Sequence, residues 1–162
     1  VLAAQPEANL GIIPGAGGTV RLTRLVGFDN ANMMLRTCRP ISSEKALAFG
    51  LISEEVEGDL VDRAVALCGD MADGKTPRSR MAEGPMSDVP ESLPPIEIGH
   101  LSRRVDEILQ KAILGAAKLP LAEAVPFEAK CFGEVCGTED MRIGVANFLA
   151  NGPRSKADFV HR

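Results

Sequence analysis

The chain has 162 residues, 45% of them hydrophobic and 25% charged, with a net charge of −4; that is enough apolar material for one buried core and argues against disorder. With no basic stripe and neither Trp nor Tyr to stack on bases, a nucleic-acid partner is not expected. No apolar run approaches the roughly 20 residues that span a bilayer, and nothing reads as a signal peptide, so no membrane partner is expected and the protein reads as soluble and cytoplasmic.

The opening VLAA reads as the tail of a buried strand already under way, and since the first residue is Val1, the sequence reads as a piece of a longer protein. The stretch Gln5 to Gly27, QPEANLGIIPGAGGTVRLTRLVG, carries the strongest chemical signal. Glu7 is followed by Leu10, Ile12 and Ile13, which set a carboxylate against an apolar wall where desolvation favours the protonated form. Pro14, Gly15, Gly17 and Gly18 then allow a tight turn and close backbone approach to a ligand. Thr19 is a candidate cap, and Leu22, Leu25 and Val26 give a short amphipathic helix stopped by Gly27. Taken alone, the pattern also fits an ordinary turn before a helix. The glycines match neither a dinucleotide fingerprint nor a P-loop.

Asp29 is the expected cap of a helix over Asn30 to Thr37, whose Met33 and Met34 read as adaptable core packing. Ser42 or Ser43 opens a helix over Glu44 to Phe49, Gly50 stops it, and Leu51 to Val56 reads as a short strand. Residues Asp59 to Ala72 repeat apolar side chains at helical spacing behind two carboxylates. Residues 74–100 hold five prolines without apolar periodicity and read as a linker or surface loop. Leu101 to Ala116 is a long amphipathic pattern ended by Pro120, followed by helices over Leu121 to Val135 and Thr138 to Leu149. Wide apolar faces on these three helices suggest association. Cys38, Cys68, Cys131 and Cys136 lack C-x-x-C spacing and only two histidines are present, so reduced core thiols and no metal site are expected.

As a string, Pro6, Glu7, Leu10, Gly11, Pro14, Gly15, Gly17, Gly18, Thr19, Arg21, Leu22, Arg24, Val26 and Gly27 resemble the PE-x-x-LG-x-x-PG-x-GG-T-x-RL-x-R-x-VG signature of the enoyl-CoA hydratase (crotonase) family. The segment SSEKALAFGLISEEV extends the likeness. The resemblance implies an α/β fold: the C-terminal part of a crotonase-like ββα spiral over 1–73, a Pro-rich loop over 74–100, longer than the family's usual connection, and a mainly helical C-terminal region over 101–162 that covers the active site and builds oligomers, a trimer or dimer of trimers.

It implies an acyl-CoA substrate, hydration of a 2-enoyl-CoA to a 3-hydroxyacyl-CoA, and no cofactor beyond coenzyme A as part of the substrate. Isomerisation or C–C or ring hydrolysis are the alternatives within the family, and a non-catalytic oligomerisation fragment is the alternative outside it. Glu7 takes the role of one of two catalytic carboxylates; the second, and the oxyanion donors, would lie upstream, so the chain alone is expected to be inert. Leu10, Ile12, Pro14, Gly15 and Gly17 are the expected substrate-facing positions. Phe132 matches a phenylalanine near the CoA adenine. The family's phosphate-binding lysine falls at Asn151, leaving Arg154 or Lys156 to replace it.

Overall fold

A computed structural model describes residues 1–78 and 80–162; the loop expected at position 79 lies outside the described residues. A two-residue strand β1 (Leu2–Ala3) leads into a 3-10 turn (Glu7–Leu10) and a long helix α1 (Gly18–Thr37). Strand β2 (Ile41–Ser42) pairs antiparallel with β1, Leu2 opposite Ser42 and Ala3 opposite Ile41. Helices α2 (Ser43–Ala48), α3 (Leu60–Ala72), α4 (Arg103–Ala117), α5 (Leu121–Cys136) and α6 (Glu139–Asn151) complete the order.

The core lies where α1, α4 and α5 meet. Met34 and Leu35 of α1, Leu109 and Ile113 of α4, and Val135 of α5 are all within 1% of full burial and form one cluster. Removing a side chain of this size from water is worth about 1.5–3 kcal/mol. A bidentate ion pair crosses this core: Arg36 donates through Nε to Asp106 Oδ1 at 2.7 Å and through Nη2 to Oδ2 at 2.8 Å. Asn32 Oδ1 accepts from Arg36 Nη1 at 2.9 Å, and Gln110 Nε2 donates to Asp106 Oδ2 at 2.8 Å, so both charges are fully hydrogen-bonded where burial would otherwise expel them.

Among the described residues, 74–100 contains neither helix nor strand. It is nevertheless fastened at several points. Leu93 enters the core at 5% exposure, and the Pro94 carbonyl accepts from Asn32 and Arg36. The Met86 N–H donates to Ala117 O at 2.8 Å, and Leu121 N–H donates to Glu83 O at 2.7 Å. Arg24 of α1 completes the attachment, donating to the carbonyls of Gly84 (2.6 Å) and Leu119 (2.7 Å), which ties the segment to the end of α4.

Several expectations are corrected. No strand forms over Leu51 to Val56 among the described residues. The Leu51 and Ile52 N–H groups both turn back to Ala46 O, closing α2 across the left-handed Gly50, so they have no ladder to offer. The opening strand is not buried, for Val1 and Leu2 lie on the surface. Gly27 interrupts α1 as expected (φ 78°, ψ 171°), but the helix resumes at once, with Asn30 Nδ2 donating to Val26 O across the break, so Asp29 is not a cap. The cysteines are free, yet not all are core thiols: Cys131 is buried and Cys38 half-buried, while Cys68 and Cys136 are exposed. The apolar face of α4 is spent inside the core, and the exposed large side chains lie elsewhere, at Leu60, Val61 and Val65 of α3 and Phe148 and Leu149 of α6.

Candidate active site

The carboxylate of Glu7 sits on the 3-10 turn, which closes through Asn9 N–H to Pro6 O (3.1 Å), Gly11 N–H to Ala8 O (3.0 Å) and Ile12 N–H to Glu7 O (3.3 Å). Gly11 ends the turn at φ 67°, a left-handed conformation that glycine reaches without a Cβ clash. A second reason for glycine here is tertiary: a Cβ at Gly11 would meet Asp140 O at 2.5 Å, and one at Gly144 of α6 would meet Leu10 O in near-bonding contact. Two glycines thus let the Glu7 turn lie directly on the backbone of α6.

Glu7 is half-buried, and its Oε2 is fully enclosed with no hydrogen-bond partner among the described residues. An enclosed carboxylate oxygen left unpaired in this way is costly and marks Glu7 as a candidate functional group. Beside it stands Cys38 at the left-handed end of α1. Burial pushes the Cys38 thiol up to about 11, against hydrogen bonding with the backbone of Asn9 and Ala8, and the Glu7 charge adds to the rise. The thiol is therefore neutral near pH 7 and is not an activated nucleophile.

The turn after Ile13 carries Pro14, Gly15 and Gly17 into the start of α1. Thr19 does not cap this helix; its hydroxyl donates to Pro14 O at 3.1 Å and locks the turn from within. The cap comes from α5. Glu128, 1% exposed, accepts from Gly17 N–H at 2.6 Å and from Val20 N–H at 3.1 Å. One helical turn further along α5, the ring of Phe132 lies against Gly15, where an added Cβ would find it at 3.5 Å. Of the expected substrate-facing positions, Pro14, Gly15 and Gly17 lie on this turn with Phe132 against Gly15, while Leu10 and Ile12 lie at the end of the preceding 3-10 turn. Leu10 also lines a cleft of about 120 Å³ with Pro6, Asn9, Asn147, Phe148 and Pro153.

Arg154 and Lys156 follow the Gly152–Pro153 turn beyond α6 and are exposed, and neither forms an ion pair among the described residues. Lys156 is close enough to His100 to act with its desolvation, and with Arg162, in lowering the imidazole pKa. Asn151 donates to Asn147 Oδ1 at 2.9 Å.

Glu128 and Asp140 escaped the sequence reading. For Glu128 a signal existed: Ala124, Glu128, Cys131 and Val135 are spaced as one buried helical stripe, and a carboxylate on such a stripe calls for a partner. Asp140, wholly buried, gathers the Ser102 hydroxyl at 2.5 Å, Val160 N–H at 2.8 Å and His161 Nδ1 at 3.1 Å. Nothing in the local string announces that convergence.

A glutamate on a tight turn beside apolar walls, followed by a glycine turn into a helix, makes this a candidate carboxylate-bearing site. Residues 2–92 match the enoyl-CoA hydratase/isomerase family model, and the chain belongs to that family. Among its relatives, a protein of Rhizobium meliloti (strain 1021) described as "Probable enoyl-CoA hydratase" is 32% identical over 159 residues, 98% of this chain and 50% of the relative. The short-chain-enoyl-CoA hydratase of Clostridium acetobutylicum is 30% identical over 146 residues, 90% of this chain and 46% of the relative. The chain spans about half the length of the curated relatives it matches. The crystal structure of carnitinyl-CoA hydratase from Mycobacterium avium superposes with a TM-score of 0.59 at 21% identity, covering 99% of this chain and 51% of that one, and shows the shared fold.

Proposed function

We propose that this chain supplies the Glu7 half of the active site of an enzyme that hydrates a 2-enoyl-CoA to a 3-hydroxyacyl-CoA. The observation that carries the reading is the enclosed, unpartnered Oε2 of Glu7 on a turn whose sequence belongs to this family. In the reaction, water oxygen bonds to Cβ while one carboxylate takes its proton, a second group delivers a proton to Cα, and backbone N–H donors hold the thioester oxygen as charge develops there. Glu7 is one of these acid/base groups. Its partner carboxylate and the oxyanion donors are supplied by residues outside these 162, a reading supported by the share of the relatives that this chain covers.

Two further roles rest on the same reading. Phe132 stacks near the CoA nucleotide, and Arg154 and Lys156 meet its phosphates in place of the family's lysine, whose position is Asn151. The assembled enzyme is a homo-oligomer.

The test is steady-state hydration of a short 2-enoyl-CoA by the whole enzyme, followed by loss of the conjugated thioester absorbance. Glu7→Gln lowers kcat by about 10²-fold or more, the effect of losing a positioned acid or base, with KM little changed. Turnover surviving within a factor of a few makes Glu7 structural. Movement of the double bond from a 3-enoyl-CoA, in place of hydration, reassigns the reaction to isomerisation. The 162-residue chain by itself gives no hydration, and activity above buffer would place the missing groups within it.

A further inference from the structure

We propose that Glu128 is a positioning residue: from helix α5 it holds the glycine turn and, through that turn, the Glu7 carboxylate. The inference rests on the hydratase reading for its link to Glu7, while the grip on the turn stands on geometry alone.

A carboxylate at 1% exposure is costly unless its charge is fully engaged. Glu128 meets no Lys or Arg among the described residues. Its hydrogen-bond partners there are two backbone N–H groups, those of Gly17 and Val20, which belong to the set of donors that a helix start leaves without intrahelical acceptors. The positive end of the α1 dipole adds to the attraction. An apolar side chain at 128 would fill the same volume but strand both donors, so the charge here has a directional task that packing cannot perform.

The grip acts at a defined place. Glu128 holds positions 17 and 20, and Phe132, four residues on along the same face of α5, touches one side of position 15. Between them Ala16 is kept at φ 53°, a left-handed conformation that costs a residue with a Cβ and that unrestrained chain would leave readily. From this clamp the backbone runs through buried Pro14 and Ile13 to Ile12, whose N–H donates to Glu7 O. The other end of the Glu7 turn rests on α6 through Gly11 and Gly144. The turn is therefore held between α5 and α6, and on the α5 side Glu128 supplies the hydrogen bonds while Phe132 supplies packing alone.

The experiment has two arms on Glu128→Gln, whose amide can accept from one of the two donors but opposes the other. Backbone amide exchange of the 162-residue chain reads the grip: the Gly17 and Val20 amides exchange about tenfold faster or more, while those of Leu109 and Ile113 in α4 keep their protection. Unchanged exchange at 17 and 20 overturns the proposal. In the whole enzyme the same variant lowers kcat about ten- to hundredfold, the scale of a small displacement of a reacting group, with KM within about twofold. That loss disappears in a Glu7→Gln background, because a group that works through Glu7 has nothing left to position. An equal loss in both backgrounds reduces Glu128 to a folding role. Should Glu128→Gln fail to fold, Glu128→Asp, which keeps the charge and withdraws it by one methylene, is measured instead with the same expected outcomes. An enzyme that hydrates no enoyl thioester overturns the acyl-CoA reading and the link to Glu7, and faster exchange in that case still establishes the grip.

Discussion

Helices α3 and α4 are written in the same way and end in opposite environments. Each opens on a side-chain cap, Asp59 accepting from the Val61 and Asp62 N–H groups and Ser102 accepting from Val105 N–H, and each repeats apolar residues along one face. Helix α4 buries that face completely, with Val105, Leu109 and Ile113 each at 1% exposure, whereas Leu60, Val61 and Val65 of α3 are 67–70% exposed and no residue of α3 is buried. Capping and periodicity are local properties that make a helix and give it an apolar stripe. What covers the stripe depends on distant chain, and α4 has α1 and α5 against it while α3 has no comparable neighbour among the described residues. The candidate site belongs to the α4 side of this contrast, since its turn is carried by α5 and α6.

The contrast is broken most severely at the ion pair that joins α1 to α4. Asp106→Ala leaves Arg36 buried without its carboxylate and should destabilise by about 3–5 kcal/mol, read from chemical denaturation. A matching deletion on α3, Asp62→Ala, should stay within about 0.5 kcal/mol, because the residue is exposed and away from the core.

The next largest effect separates two helical glycines. Gly144→Ala drives a methyl into the Leu10 carbonyl, which is backbone and cannot swing aside, and should cost about 1–3 kcal/mol while displacing the Glu7 turn. Gly69→Ala in α3 meets nothing within 4 Å and should stabilise by up to about 1 kcal/mol through helix propensity. Thermal melts of the two variants moving in the same direction would refute the contrast.

A smaller effect concerns pH at the start of α4. Burial opposes the Asp140 charge, but hydrogen bonds from the Ser102 hydroxyl, the Val160 N–H and His161 outweigh it and hold the carboxyl below its usual range. A depressed folded pKa means that the ionised group contributes stability above the unfolded pKa and loses it as pH falls through the folded one. The chain should therefore lose stability on acidification below the ordinary carboxylate range, with the tail at Val160 and His161 and the Ser102 hydroxyl loosening from Asp140. Asp140→Asn should flatten that part of the pH–stability curve, and an unchanged curve would assign the acid sensitivity to other carboxylates.

The sequence alone determined the helices and their ends wherever the deciding interaction is local. Ser42, Asp59, Ser102 and Thr138 each accept a hydrogen bond from N–H groups two or three residues on, and Gly27 and Gly50 take backbone angles that mark their breaks. It also determined the family, because a long string of spaced prolines, glycines and arginines is read along one dimension. Only tertiary structure decided which apolar stripe is buried, why Leu51 and Ile52 turn back onto Ala46 instead of forming a strand, and why Gly11 and Gly144 must both be glycine. It alone revealed that the cap of α1 comes from Glu128, more than a hundred residues away. The physical reason is common to these cases: a hydrogen bond or a van der Waals contact across the fold depends on where two distant segments are brought, and neither segment carries that information by itself.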